Sequence, residues 1–176
     1  MFNTMAAEFD YRANERFSSN FFNHIKADRE FDRTYARGWI TRHIARFFPQ
    51  KFAMKELSNA LQQKQVYDRH EEGIQRVKIS EIVGSESKAY KFDRRFTPLY
   101  EDSRERWVRV AQAYLDGGPI PPVQLIRLGC DYYVRDGHHR VSVARSLGAE
   151  YVDADVTAWE IGPLPECRPA AFQVAA

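Results

Sequence analysis

The chain of 176 residues has only two cysteines, Cys130 and Cys167, and neither has a second Cys or a His at zinc-ligand spacing. So sparse a supply indicates neither a metal knuckle nor a disulfide framework, and a reducing cytosol is the expected compartment. No apolar run approaches the length of a bilayer span, and Met1 to Asp10 lack the basic-then-apolar layout of a secretory signal. A cytoplasmic chain with no membrane partner is therefore expected. Neither sign of charge dominates: 26 basic against 24 acidic residues leave a formal charge of +2, too small to require nucleic acid. Internal repeats and low-complexity blocks are also missing, and no proline occurs before Pro49.

What is present is an apolar share of 44%, rich in aromatics with 12 Phe and 9 Tyr, which suits one soluble domain with a filled core or an interaction surface. Phe17, Phe21, Phe22 and Ile25, then Trp39, Ile40, Ile44, Phe47 and Phe48, recur at helical spacing. One or two helices are predicted up to about Phe48, and a third over Phe52 to Leu61, where Leu57 and Leu61 stand four apart. Residues 1–70 thus read as a helical N-terminal segment, whose basic residues (Arg37, Arg42, Arg46) form a solvated face.

The pattern changes at Val77 to Gly84, a β-branched run predicted as the first strand of a core. Arg94 to Pro98 reads as a loop. Arg104 to Leu115 reads as an amphipathic helix carrying Trp107, Val108, Ala111 and Leu115 on one side, with Gly117 and Gly118 past its end. Val123 to Leu128 and Tyr132 to Val134 form a predicted hairpin around Gly129-Cys130-Asp131. A helix follows to Gly148, then an alternating strand from Tyr151 to Trp159. The expected fold class is α/β, a small mixed-sheet core over 77–160 behind the helical segment, with an irregular tail over 161–176.

The densest chemistry lies where the hairpin hands over to a helix, at Asp136-Gly137-His138-His139-Arg140. The first N–H groups of a helix have no intrahelical partners and face whatever sits in the turn, which makes such a place ready for an anion. Gly137 permits close approach, Arg140 offers a forked cationic donor, and His138 and His139 add ring nitrogens. Adjacent helical histidines point about 100° apart and do not serve one metal as an i,i+4 pair would. An imidazole at a helix N-terminus is favoured neutral, which suits hydrogen bonding to a phosphate or base. Each residue also has a plainer reading: Asp136 as a helix cap, one histidine packed in the core, Arg140 and Ser142 on a solvated helix surface. Arg104, Arg106 and Arg109 around Trp107 read as a solvated face or as contacts to a nucleic-acid backbone.

Pro121-Pro122-Val123, the hairpin, the Asp-Gly-His-His-Arg turn and the helix ending in Leu147-Gly148 together resemble the ParB/sulfiredoxin-like superfamily over roughly residues 77 to 160. That superfamily holds nucleotides at this turn and includes CTP-hydrolysing partitioning proteins, ATP-using sulfiredoxins and kinases of free serine. His138 stands where sulfiredoxins carry their catalytic cysteine, which contradicts cysteine repair. Of the partitioning proteins' Gly-Glu-Arg-Arg only Gly137 and Arg140 remain, and no stretch after residue 160 provides their helix-turn-helix. The turn is most similar to that of the serine-kinase branch. The resemblance implies a nucleoside di- or triphosphate (ATP, ADP or CTP) with Mg²⁺, held by Gly137, His138, His139, Arg140 and Ser142. It further implies Asp136 as metal ligand or orienting group, with His138 and an acidic residue after the first strand, Glu81 or Glu86, in catalysis. The expected activity is a phosphotransferase or NTPase acting on a small hydroxyl-bearing substrate, with DNA compatible but not required and homodimerisation left open. The alternatives are a DNA-binding regulator or nuclease-like protein without a helix-turn-helix, and a non-catalytic module whose N-terminal helices contact partners.

Overall fold

The computed structural model describes residues 3–45, 47–48, 52–62 and 64–162, with side chains described from residue 19 onward except Ile40. Phe17 and Ile40 as side chains, Arg46, Pro49, Cys167 and the tail from residue 163 lie outside the described residues. Among the described residues up to Phe48 there is one helix, α1 (Asn3–Ala45), where the sequence suggested one or two. It is 43 residues long because nothing within it breaks the pattern except Gly38. That glycine is a point of close approach: a Cβ there would stand 2.5 Å from the Pro98 carbonyl oxygen. The helix thus packs its backbone against the loop before α3.

The predicted third helix is mostly absent. Lys55–Glu56 form a short strand, β1, followed by a single helical turn, α2 (Leu57–Ala60), so the spacing of Leu57 and Leu61 reported one turn only. The predicted first strand at Val77 to Gly84 is also corrected. Strand β2 (Val66–Lys78) precedes it, a 3-10 turn occupies Ile79–Glu81, and β3 covers Ile82–Ser85. Then come α3 (Arg104–Leu115), β4 (Val123–Leu128), β5 (Asp131–Asp136), α4 (His138–Ser146) and β6 (Tyr151–Ile161). These match the sequence reading closely.

The six strands form one mixed sheet in the order β1-β3-β5-β4-β6-β2. Strands β1, β3 and β5 run parallel, β4 runs antiparallel to β5 and parallel to β6, and β2 closes the sheet antiparallel to β6. Alternation sends Val123 and Leu125 of β4 to one face with Val141 and Ala144 of α4, and Ile126 and Leu128 to the other with Leu57 of α2. A third cluster, Ala27 and Phe31 of α1 with Trp107, Val108 and Ala111 of α3 and Val143 of α4, joins the long helix to the core. Phe31 meets Trp107 edge to face at 5.6 Å, and Arg104 lies over the Phe31 ring while pairing with Asp28 and Asp32.

Cys130, in the hairpin turn, is disulfide-bonded. This corrects the expectation of no disulfide and removes the support that cysteine usage lent to a cytosolic compartment. Among the described residues no helix is long and apolar enough to cross a membrane.

Candidate functional site

Because β3 and β5 are parallel, their C-terminal ends open on the same edge of the sheet, and α4 begins there. Ser85 ends β3, Asp136 ends β5, and Gly137 turns the chain with φ +98°, a left-handed conformation that favours glycine. A Cβ on Gly137 would stand 2.8 Å from Val123 Cγ1 and 3.0 Å from Arg140 Nε. The residue is thus required both by its backbone and by the packing of the arginine behind it.

Above this edge lies a cavity of 310 Å³ whose wall takes Asp136, Gly137, His138, His139 and Arg140 from the turn. It also takes Lys88, Lys91, Phe92, Asp102 and Arg106. No side chain caps α4. The Gly137 carbonyl receives the Val141 N–H at 3.0 Å, the first bond of the helix, so the N–H groups of His138, His139 and Arg140 are the ones a helix leaves without partners. They carry the positive end of the helix dipole.

Arg140 differs from the sequence reading in what it holds. Its guanidinium donates to the carbonyls of Pro121 at 2.8 Å and Pro122 at 2.6 Å, and to Asp136 Oδ2 at 2.6 Å. It braces the proline-rich connection against the turn, and its donors are mostly spent on the protein itself. The cations at the cavity whose side chains make no ion pair among the described residues are Lys88 and Arg106, while Lys91 pairs with Asp102 at 3.0 Å. That hydrogen bond raises the Lys91 pKa and lowers that of Asp102.

His138 is 3% exposed. Ser85 Oγ accepts the N–H groups of Ser87 at 3.2 Å and Lys88 at 2.9 Å, which fills its lone pairs, so its own proton goes to His138 Nε2 at 2.7 Å. That donation fits a neutral ring that carries its own proton on Nδ1. Burial, reinforced by the Lys88 charge, pushes its pKa down to about 4. His139 is lowered to about 4 as well, by burial first and then by Arg106. Phe92 stacks on His138 at 5.9 Å and meets His139 edge-on at 5.3 Å. His139 Nδ1 is buried without a partner among the described residues, a cost retained at the cavity wall.

The other sequence-predicted residues lie elsewhere. Ser142 is 2% exposed and accepts the Trp107 indole N–H at 2.9 Å, so it is neither a cavity residue nor the surface serine of the plainer reading. Glu81 is exposed in the 3-10 turn before β3, at the opposite end of the parallel strands from Asp136. Glu86 pairs with Arg135 at 3.5 Å and is outside the cavity wall. Of the arginines near Trp107, Arg104 is bound by Asp28, Asp32 and Glu101, and Arg109 by Glu105, which leaves Arg106 to the cavity. Sequence reasoning missed Ser85, Lys88, Phe92 and Asp102, and it read Arg106 as part of a solvated face or a nucleic-acid contact without placing it at this turn. The one signal available for them was the polar Ser85-Glu86-Ser87-Lys88 turn at the end of a strand.

Asp136 keeps Oδ1 out of any hydrogen bond with the described residues, and Asp102 is the second carboxylate on the wall. No group of three or more metal-binding side chains occurs among the described residues. Such a pair suits an ion that brings most of its ligands as water and phosphate, as Mg²⁺ does, and does not suit zinc. The chain matches no family model, no curated protein and no solved structure.

Proposed function

We propose that the chain binds a nucleoside di- or triphosphate at the α4 N-terminus and acts as a phosphotransferase or NTPase of the ParB/sulfiredoxin-like kind. The observation that carries this reading is the coincidence, in one cavity, of three uncapped helix N–H groups with Lys88 and Arg106, two cations with no ion pair among the described residues. Two neutral imidazoles add hydrogen-bonding capacity without adding fixed charge. A phosphate group there exchanges hydration for preorganised donors and cations in a partly desolvated wall. Arg140 is the positioning residue of the site: by holding Asp136 and the two proline carbonyls it sets the direction of the turn. Asp136 and Asp102 are the residues that would hold Mg²⁺, which neutralises charge on transferring phosphoryl oxygens when bound.

The test is thermal stabilisation of the full chain by ATP, ADP and CTP at millimolar concentration, with and without Mg²⁺. At a hundredfold excess over Kd a ligand stabilises by about 2.7 kcal/mol, which moves the unfolding midpoint by several degrees. A midpoint unmoved by all three nucleotides contradicts the proposal.

A further inference from the structure

A second concentration of cations with no ion pair among the described residues lies at the other end of α4. Arg145, in the last turn of that helix, lines a cavity of 510 Å³ together with Arg94, Arg95, Lys55, Ser80 and Asp93. Along the helix axis Arg145 is about 10 Å from His138, so this is a different place from the nucleotide cavity. Lys55 is paired with Asp131 at 3.1 Å, but Arg94, Arg95 and Arg145 make no side-chain ion pair among the described residues. The carboxylate on this wall, Asp93, is 5% exposed and gives Oδ1 to the backbone N–H groups of Arg95 at 2.8 Å and Thr97 at 2.9 Å.

The segment that carries Arg94 and Arg95 is unusual in its backbone. Asp93 and Thr97 close it, with Asp93 N–H donating to the Thr97 carbonyl at 3.0 Å and Phe96 N–H to the Asp93 carbonyl at 2.8 Å. Phe96 at its apex has φ +60°, the one positive value outside glycine among the described residues, and its ring is buried in the core beside Phe92. An aromatic residue is a costly occupant of that conformation, and the surrounding bonds hold it there. The consequence is that two consecutive arginines are presented outward over a cavity that already contains a third.

Arg145 is half-buried, and its pKa is lowered by that burial and by the Arg95 charge. Asp93 offsets part of this repulsion, but one carboxylate stands against three guanidiniums, and an anion placed among them relieves the remaining repulsion and the desolvation. A guanidinium fork matches phosphate oxygens in pairs. We infer that the cavity between Arg94, Arg95 and Arg145 is a second anion site, built for the terminal phosphate or diphosphate of a small molecule. Its donors differ in depth, with Arg145 recessed and Arg94 and Arg95 exposed, which suits a compact anion entering the cavity more than an extended backbone lying across it. The inference does not depend on the nucleotide reading, because no residue is shared between the two cavities.

The experiment is calorimetric titration of the full chain with inorganic pyrophosphate at low ionic strength, in a background of K88Q and R106Q that weakens the first cavity by removing its two cations. Pyrophosphate binding that persists in this background and weakens at least about tenfold in R94Q/R95Q, as loss of charge-assisted hydrogen bonds requires, supports the second site. Both replaced side chains are exposed, and an unchanged unfolding midpoint verifies that the fold is intact. No binding in the K88Q/R106Q protein, or binding indifferent to R94Q/R95Q, overturns it. Binding of a single-stranded oligonucleotide through these arginines at concentrations where pyrophosphate does not bind also overturns it, in favour of a nucleic-acid surface.

Discussion

The five residues of the turn divide between holding its shape and facing its guest. Gly137 belongs to the first kind: Gly137→Ala is expected to cost about 1–3 kcal/mol in chemical denaturation, from a strained left-handed alanine whose Cβ also collides with Val123. Arg140→Gln is expected to destabilise by a similar amount, about 1–3 kcal/mol, because the carbonyls of Pro121 and Pro122 and the Asp136 carboxylate lose their donor. Lys88→Gln and Arg106→Gln belong to the second kind and should leave the denaturation midpoint within about 0.5 kcal/mol of the parent, as surface substitutions do. The histidines give a pH signature. Both have folded values near 4, below the ordinary 6.5, so on acidification the unfolded chain takes up protons first. Above pH 6.5 nothing is lost, and the melting temperature should fall between pH 6.5 and pH 4, with a shallower fall in His138→Asn. An equal slope in that variant would contradict the burial argument.

Among the elements, those with both a strong period and clear stops were legible in sequence. Helix α3 matches the reading of Arg104 to Leu115 residue for residue, and β4 does the same for Val123 to Leu128. Strand β2 was hidden because it lies at the sheet edge with mostly exposed side chains, so its polar sequence shows little alternation, and it carries a register irregularity between Glu71 and Gly73. What anchors it is non-local: Arg127 of β4 donates to Glu72 at 2.6 Å and to Glu160 at 3.4 Å. Helix α1 was readable as one or two helices, and its attachment to the core was not readable, since it rests on contacts with residues far away in sequence. Phe31→Ala, which removes the ring between α1 and Trp107, should cost about 3–5 kcal/mol and loosen α1 from α3. Helix α1 amides that remain protected from hydrogen exchange in that variant would show that the attachment lies elsewhere.

For the molecule as a whole, the turn was legible because strand, glycine and helix follow one another in sequence. The rest of the cavity was not. Lys88, Phe92, Asp102 and Arg106 reach it from the loop after β3 and from α3, and only the parallel pairing of β3 with β5 and the packing of α3 against α4 bring them there. The same assembly changed the part assigned to Arg140, whose carbonyl partners in the proline-rich connection lie 18 and 19 residues away. It also took Ser142 into the core beneath Trp107. The molecule is thus a mixed sheet with its α4 N-terminus open at one edge and α1 fastened across α3. The direct test of that opening is an amide NMR titration of the full chain with Mg²⁺ and ATP. The resonances of His138, His139 and Arg140 should move together and saturate, and K88Q/R106Q should weaken the response while leaving the spectrum of the free protein in place. Saturable movement elsewhere with these three amides unmoved would contradict phosphate binding at this turn.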